Sequence, residues 1–141
     1  MVLRILGLDF GSKTVGVAIT DPLGMTAQGM EIVRRESPNK LRKTLSRIET
    51  IIKENDVELI VLGLPVNMDG SSGERVEKTK EFADMLTRRS GVEIIFQDER
   101  LTTVEAYEIM NEAGIKREDR YKYVDQIAAT IILEDYLNSH R

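Results

Sequence analysis

Cysteine and tryptophan are absent from the 141 residues, and the one histidine, His140, is next to the last position. Without cysteine there is no disulfide, no thiolate zinc site and no thiol nucleophile. A Ser-His-Asp arrangement would depend on His140, in a tail expected to fray, so that chemistry is set aside too. No apolar run approaches the ~20 residues that a membrane span needs, so no membrane partner is expected. The opening stretch Met1-Val2-Leu3-Arg4-Ile5-Leu6-Gly7-Leu8-Asp9 is apolar but broken by Arg4 and Asp9. It also lacks a basic leader and a small-residue cleavage site, and so reads as a first strand rather than a signal peptide. An excess of positive charge is missing as well. The net charge of −4 counts against a nucleic-acid binder if the chain is taken as a whole.

Apolar residues make up 41% of the chain, enough for a core, and the length fits a single domain spanning 1–141. The basic residues are clustered: Arg34-Arg35; Lys40, Arg42, Lys43 and Arg47; Arg88-Arg89; and Lys116, Arg117, Arg120 and Lys122. Each cluster alone reads as a solvated helix face or end. Together they can form a phosphate-attracting rim around an acidic site.

The first third reads as antiparallel: a strand from Leu3 to Asp9, a turn in which Gly11 supplies freedom in φ, and a second strand from Thr14 to Thr20. The turn Asp21-Pro22-Leu23-Gly24 leads to a third strand within Thr26 to Arg34. Helices and strands then alternate. Ser37-Pro38 has the form of a helix start, and Leu41, Leu45, Ile48, Ile51 and Ile52 follow at helical spacing. A buried strand lies within Glu58 to Gly63, and a polar loop fills Pro65 to Gly73. Glu74 to Ser90 is a helix with Val76, Phe82, Ala83 and Leu86 inward and Gly91 as its stop. Val92 to Gln97 is the fifth strand, and the capping box Thr102-Thr103-Val104-Glu105 opens a helix that stops at Gly114. The last helix is expected from about Asp119 to Leu137. Three antiparallel strands followed by helix-connected ones predict an α/β fold, a five-stranded mixed sheet with helices on both faces. Sites in such sheets form at strand ends.

Three acids stand at such ends. Asp9 closes a strand with few polar residues, where an ionised carboxylate needs a cation, backbone N–H groups or a metal; the plainer reading is an Asx cap on the Gly11 turn. Asp98-Glu99-Arg100 follows the fifth strand. Neighbours in an extended segment point to opposite sides, so one of the two acids is expected to be structural, unless both simply pair with Arg100. Asp125 shares a helix face with Ala128 and Ala129, whose small side chains allow close approach to the sheet; the alternative is an exposed acid in a first turn. Converging carboxylates repel by roughly 1 kcal/mol per pair at 4 Å in water, and several-fold more when partly buried. Divalent cations resolve that repulsion, and an all-oxygen ligand set suits Mg²⁺ or Mn²⁺ rather than zinc. Two such ions can activate water and stabilise the leaving oxygen in phosphodiester cleavage.

Asp9-x-Gly11-x-x-x-x-Gly16-Val17-Ala18, then Gly63-Leu64-Pro65 with Gly70, then Asp98-Glu99-Arg100-Leu101-Thr102-Thr103, then Asp125-x-x-Ala128-Ala129 resemble the YqgF family. Its members are bacterial pre-16S rRNA nucleases, also described as Holliday junction resolvases. The resemblance covers nearly the whole chain, and its most specific part is the Asp98-to-Thr103 block with the final Asp-x-x-Ala-Ala. It implies a ribonuclease H-like fold, a catalytic and metal-binding triad of Asp9, Glu99 and Asp125, and hence Glu99 rather than Asp98. It also implies a cytoplasmic role in trimming the 5′ end of the small-subunit rRNA precursor, with RNA and the ribosomal precursor particle as partners. Substrate contacts are expected at Lys13, Asn67, Arg100, Thr102 and Lys122. Family members often carry a more basic stretch before the last Asp; here it is Arg120-Tyr121-Lys122-Tyr123, whose tyrosines can stack on bases.

Three readings compete with hydrolysis of structured RNA. Within the same fold, resolution of four-way DNA junctions needs two active sites and therefore a homodimer, which a monomer in solution would speak against. Outside it, Asp9 to Thr14 resembles the phosphate turn of two-lobed sugar kinases and actin-like ATPases, but 141 residues supply one lobe. A non-catalytic binding module would require that the acids be dispensable.

Overall fold

The structure is a computed structural model, and it describes residues 4–64, 73–98, 108–116 and 124–140, with Asp125 by its backbone alone. Its centre is a five-stranded sheet in the order β3-β2-β1-β4-β5. The strands are β1 (Arg4–Phe10), β2 (Thr14–Thr20), β3 (Ala27–Arg34), β4 (Val57–Leu64) and β5 (Glu93–Asp98). β1–β2 and β2–β3 pair antiparallel, whereas β4 pairs parallel with both β1 and β5. The hydrogen-bonded pairs Leu8↔Leu62 and Leu62↔Phe96 align the three parallel strands, so β1, β4 and β5 all end at one edge of the sheet.

Period-two alternation sorts the side chains of these strands between two cores. Leu6, Leu8 and Phe10 of β1 join Ile60 and Leu62 of β4 in the larger core, under α1 (Arg42–Glu54) and α2 (Glu74–Ser90). Ile5 joins Ala18, Leu59 and Val61 on the opposite face, where α4 (Val124–Ser139) contributes Ala129, Ile132, Leu133 and Leu137. β1 and β2 are therefore buried on both faces, with one intermediate residue at the start of each. α4 lies close because the sheet beneath it is small-sided. A Cβ at Gly7 would sit 2.9 Å from Leu133 Cβ and 3.0 Å from the Ala129 carbonyl oxygen. In register with Gly7 come Ala18 and then Gly29, forming a row without bulk across three strands.

Most expected elements stand within a residue or two of their positions. α2 matches from Glu74 to Ser90 and ends on Gly91 at φ 72°. Helical residues 108–112 (α3) end on Gly114 at φ 75°, where the Ile115 N–H reaches back to the Met110 carbonyl at 3.0 Å. Two readings need correction. Ser37-Pro38 does not open α1: the helix begins at Arg42 behind Leu41, while the Lys40 N–H closes a turn on the Ser37 carbonyl at 3.1 Å. And Gly11 is not among the glycines of positive φ. Its requirement is space, since a Cβ there would meet the Thr14 carbonyl oxygen at 3.2 Å. The Thr102–Glu105 capping box lies outside the described residues.

Candidate active site

Asp9 is the acid that the fold positions most firmly. It is 8% exposed, the penultimate residue of the central strand, in register with Gly16 of β2. Because Ile5 and Gly7 face α4 and Leu6, Leu8 and Phe10 face the other core, alternation puts Asp9 on the α4 side of the sheet. The β1–β2 turn that follows is closed by backbone: the Gly11 N–H donates to the Thr14 carbonyl at 2.7 Å. That backbone bond ties the turn together directly after Asp9.

Asp125 belongs to α4, one turn before Ala129 on the face that packs against Gly7. One helical turn is about 5.4 Å and two strand residues about 6.8 Å. Asp9 and position 125 are thus each one such step from the Gly7–Ala129 contact. Glu99 lies outside the described residues, but its neighbour is informative. Asp98 pairs with Leu64, whose strand alternates Ile60 and Leu62 onto the α1/α2 face. Asp98 therefore points away from the face of Asp9, and the next residue in the chain is Glu99. Among the described residues no three potential ligands form a metal-holding group.

Of the expected substrate contacts, Lys13 is exposed in the β1–β2 turn, and its carbonyl accepts the Arg35 N–H at 2.9 Å. Asn67, Arg100, Thr102 and Lys122 lie outside the described residues. The structure adds two residues that sequence reasoning did not assign. Arg35 Nη2 donates to the Gly11 carbonyl at 2.5 Å, and its guanidinium lies 4.8 Å from the Phe10 ring centroid. Arg75, from the first turn of α2, donates to the Phe10 carbonyl at 3.3 Å. Phe10 in turn stacks on Phe82 at 4.4 Å between centroids. The chain just after Asp9 is thus clamped by two arginines and an aromatic pair. Burial pushes the Arg35 pKa down from its ordinary value. The signal for Arg35 was in the sequence: continuing the alternation of β3 past Val33 and Arg34 turns Arg35 inward.

A family model described as "RuvX: Holliday junction resolvase" matches residues 3–139. A protein named "Putative pre-16S rRNA nuclease" from Agathobacter rectalis is 65% identical over 136 residues, which is 96% of this chain and 95% of that one. Proteins of the same name from Lachnospira eligens and Myxococcus xanthus are 54% and 47% identical, over 97% and 99% of this chain and 98% and 90% of theirs. Among solved structures, Thermus thermophilus RuvC in complex with Holliday junction substrate superposes with a TM-score of 0.59 at 13% identity, covering 99% of this chain and 97% of that one. The fowlpox virus Holliday junction resolvase gives 0.58 at 15% identity, covering 99% and 100%. At such identities the likeness is one of fold, and the fold is the ribonuclease H-like one expected from the sequence.

Proposed function

The chain belongs to the RuvX: Holliday junction resolvase family and is a nuclease, a hydrolase acting on nucleic acid, and from that premise we propose that it matures the 5′ end of pre-16S rRNA with a divalent metal held by Asp9, Glu99 and Asp125. The observation that carries the site is Asp9, a buried carboxylate at the end of the central strand, on the face of the helix that bears Asp125. The substrate reading rests on the relatives named pre-16S rRNA nucleases, which are 47–65% identical over almost all of this chain.

The residues fit a hard cation. All three candidates are carboxylates, and a carboxylate as enclosed as Asp9 needs compensating positive charge. Oxygen donors of this kind select Mg²⁺ or Mn²⁺. When bound, such ions activate water and neutralise the leaving oxygen of a phosphodiester. The chain's own share is positional. The Gly7–Ala129 contact fixes the spacing of strand and helix, and the arginine clamp on Phe10 and Gly11 fixes the end of β1. Lys13, Asn67, Arg100, Thr102 and Lys122 contact the substrate. The enzyme works in the cytoplasm on the ribosomal precursor particle, as a monomer or homodimer; no helix among the described residues is long and apolar enough to cross a membrane.

A second reading, resolution of four-way DNA junctions, draws on the description of the matching family. The deciding experiment cleaves labelled 5′-extended 16S precursor and a four-way DNA junction side by side, with Mg²⁺, Mn²⁺ or chelator. The expected result is metal-dependent cutting of the RNA that Asp9→Asn lowers by roughly 10²–10³-fold, the equivalent of about 3–4 kcal/mol of transition-state stabilisation. Cutting of the junction alone, by a dimer, would transfer the assignment to the resolvase. Full activity in Asp9→Asn would remove the site.

A further inference from the structure

On the side of the sheet away from α4, at the same edge as Asp9, two open clefts adjoin. One, of 540 Å³, lies between the Gly11 turn and the start of α2. The other, of 500 Å³, lies between the end of β3 and the start of α1. Arg35, Asn39 and Leu41 line both. Among the described residues the carboxylates on their walls are Glu36, Glu74 and Glu81, and lysines and arginines outnumber them, in a chain whose net charge is −4. Glu36 is taken by Lys40 at 3.0 Å and Glu74 by Lys78 at 3.3 Å. Arg34, Arg42 and Lys43 meet no carboxylate among the described residues.

Two further features point to an absent anion. α2 follows the helix dipole, with Glu74 and Glu77 in its first turn and Arg88 and Arg89 in its last. α1 keeps a basic residue, Lys53, in its last turn but departs from that order at its start: its N-cap, Leu41, offers no side-chain bond, its first turn holds no acid, and Arg42 and Lys43 stand there instead. Cations at the positive end of a helix are unfavourable unless an anion joins them. Independently, Arg35 lines both clefts at 9% exposure, and its Nε and Nη1 find no hydrogen-bond acceptor. A buried guanidinium so incompletely partnered calls for nearby negative charge.

The chemistry of the missing ligand follows from shape and lining. The clefts are open and run on from each other, which suits a repeating anion better than a single small molecule. Among the described residues the one aromatic side chain on their walls, Phe10, is already stacked on Phe82. The described lining thus offers cations to phosphates and no unstacked ring to a base. The track also begins at the active edge, because Arg35 holds both the Gly11 carbonyl and, through its own N–H, that of Lys13.

We propose that the groove around Arg35, walled by Arg34, Arg42 and Lys43, binds the phosphate backbone of the RNA outside the cleaved bond, holding the substrate independently of sequence. The proposal rests on the RNA reading above and adds to it a second contact surface. It is tested by titrating a short single-stranded RNA in chelator, where no cleavage runs, across a salt series. The proteins compared are wild type, Arg34→Ala/Arg42→Ala/Lys43→Ala, and a control triple, Lys53→Ala/Lys80→Ala/Arg88→Ala, that removes equal charge from exposed sites elsewhere on α1 and α2. Loss of three phosphate contacts makes the slope of log Kobs against log salt shallower by about 2, so between about 50 and 200 mM salt the wild-type affinity falls roughly 20-fold further than that of the groove variant. The control triple keeps the wild-type slope. If the groove variant binds RNA with the wild-type slope and affinity, the groove proposal is overturned and the nuclease reading stands. If wild type binds no RNA, or only the DNA junction, the groove proposal and the RNA reading fall together.

Discussion

Gly7→Ala tests whether the close approach of α4 to β1 is what builds the site. The added methyl carbon would lie 2.9 Å from Leu133 Cβ and 3.0 Å from the Ala129 carbonyl oxygen. One neighbour is backbone and the other a Cβ, so neither can rotate away, and both Ala129 and Leu133 are fully buried. Ordinary carbon–carbon contact is about 3.5–4.0 Å, so α4 must retreat by about 0.6–1.1 Å. Overpacking of this kind costs about 1–3 kcal/mol, offset by the ~0.4–1 kcal/mol that alanine gains over glycine through a less mobile unfolded chain. The net loss, centred on about 1.3 kcal/mol within a span of about 0–2.6 kcal/mol, lowers Tm by roughly 4–5 °C for a chain of this size. The retreat also carries position 125 away from Asp9, and a displacement near 1 Å can cost about 10²-fold in rate. Calorimetry and a cleavage assay at 25 °C, where the variant is still folded, read the two effects separately. Wild-type Tm and wild-type activity together would refute the packing argument. A lowered Tm with undiminished cleavage would keep the packing but remove α4 as a carrier of the site. Gly29→Ala is the internal control: its Cβ meets only the Gln126 side chain, with Nε2 at 2.7 Å and Cγ at 3.0 Å and no backbone among its three nearest atoms, so a change of Gln126 rotamer relieves it and the loss is smaller than at Gly7.

Asp98→Asn is expected to leave cleavage within a few-fold of wild type and Glu99→Gln to reduce it roughly 10²-fold or more, because the register sets Asp98 on the face opposite Asp9; single-turnover rates on one RNA substrate decide it. Phe82→Ala removes a fully buried ring stacked on Phe10 and is expected to cost about 3–5 kcal/mol by denaturant unfolding. Burial pushes the carboxyls of Glu134 and Asp135 up from their ordinary 4.5 and 3.8, with the Asp135 charge adding to the effect on Glu134. The fold disfavours their ionised forms, so their contribution to stability declines as pH rises from the ordinary values to the raised ones. Glu134→Gln/Asp135→Asn should therefore raise Tm modestly at pH 7, and the gain should vanish below pH 3.8; the same gain at every pH would contradict the assignment.

The fold was legible because its signals are long and agree with one another. Seven-residue strands of Val, Ile and Thr, and a helix such as α2 with Val76, Phe82, Ala83 and Leu86 on one face and Gly91 at its end, leave few alternatives. The misread start of α1 is local chemistry outvoted by geometry. Ser37-Pro38 can open a helix, but here the chain spends it on a turn between the end of β3 and α1. Pairwise closeness was not legible. Nothing in the spacing of Gly7, Ala18 and Gly29 says that they form one row, because the row exists only once three strands are in register. The choice between Asp98 and Glu99 came in the sequence only from the family resemblance, and the sheet supplies a separate physical ground for it. Alternation shows that only one of them can face Asp9, and the pairing of Asp98 with Leu64 shows which one does not.

The alternation of β1 also explains how an acidic protein can hold a polyanion beside its carboxylates. One strand sends Asp9 to the α4 face and Phe10 to the other, and the arginine clamp on the turn after it belongs to that other side. The acidic centre and the basic groove are thus two faces of a single strand end. Exposed charges are screened over about 8–10 Å at physiological salt, so a net charge of −4 spread over the surface is felt weakly, whereas neighbouring arginines at one edge act on whatever phosphate arrives there. The carboxylates on the groove walls among the described residues, Glu36, Glu74 and Glu81, are outnumbered by lysines and arginines, and Asp9 lies across the sheet from them. In the proposed arrangement the sheet separates the two tasks, with RNA backbone bound on the basic side and the divalent cation held on the side of Asp9. Removing the metal should then abolish cutting and leave groove binding in place, and removing the groove cations should weaken binding while a saturating RNA concentration still restores much of the cleavage rate.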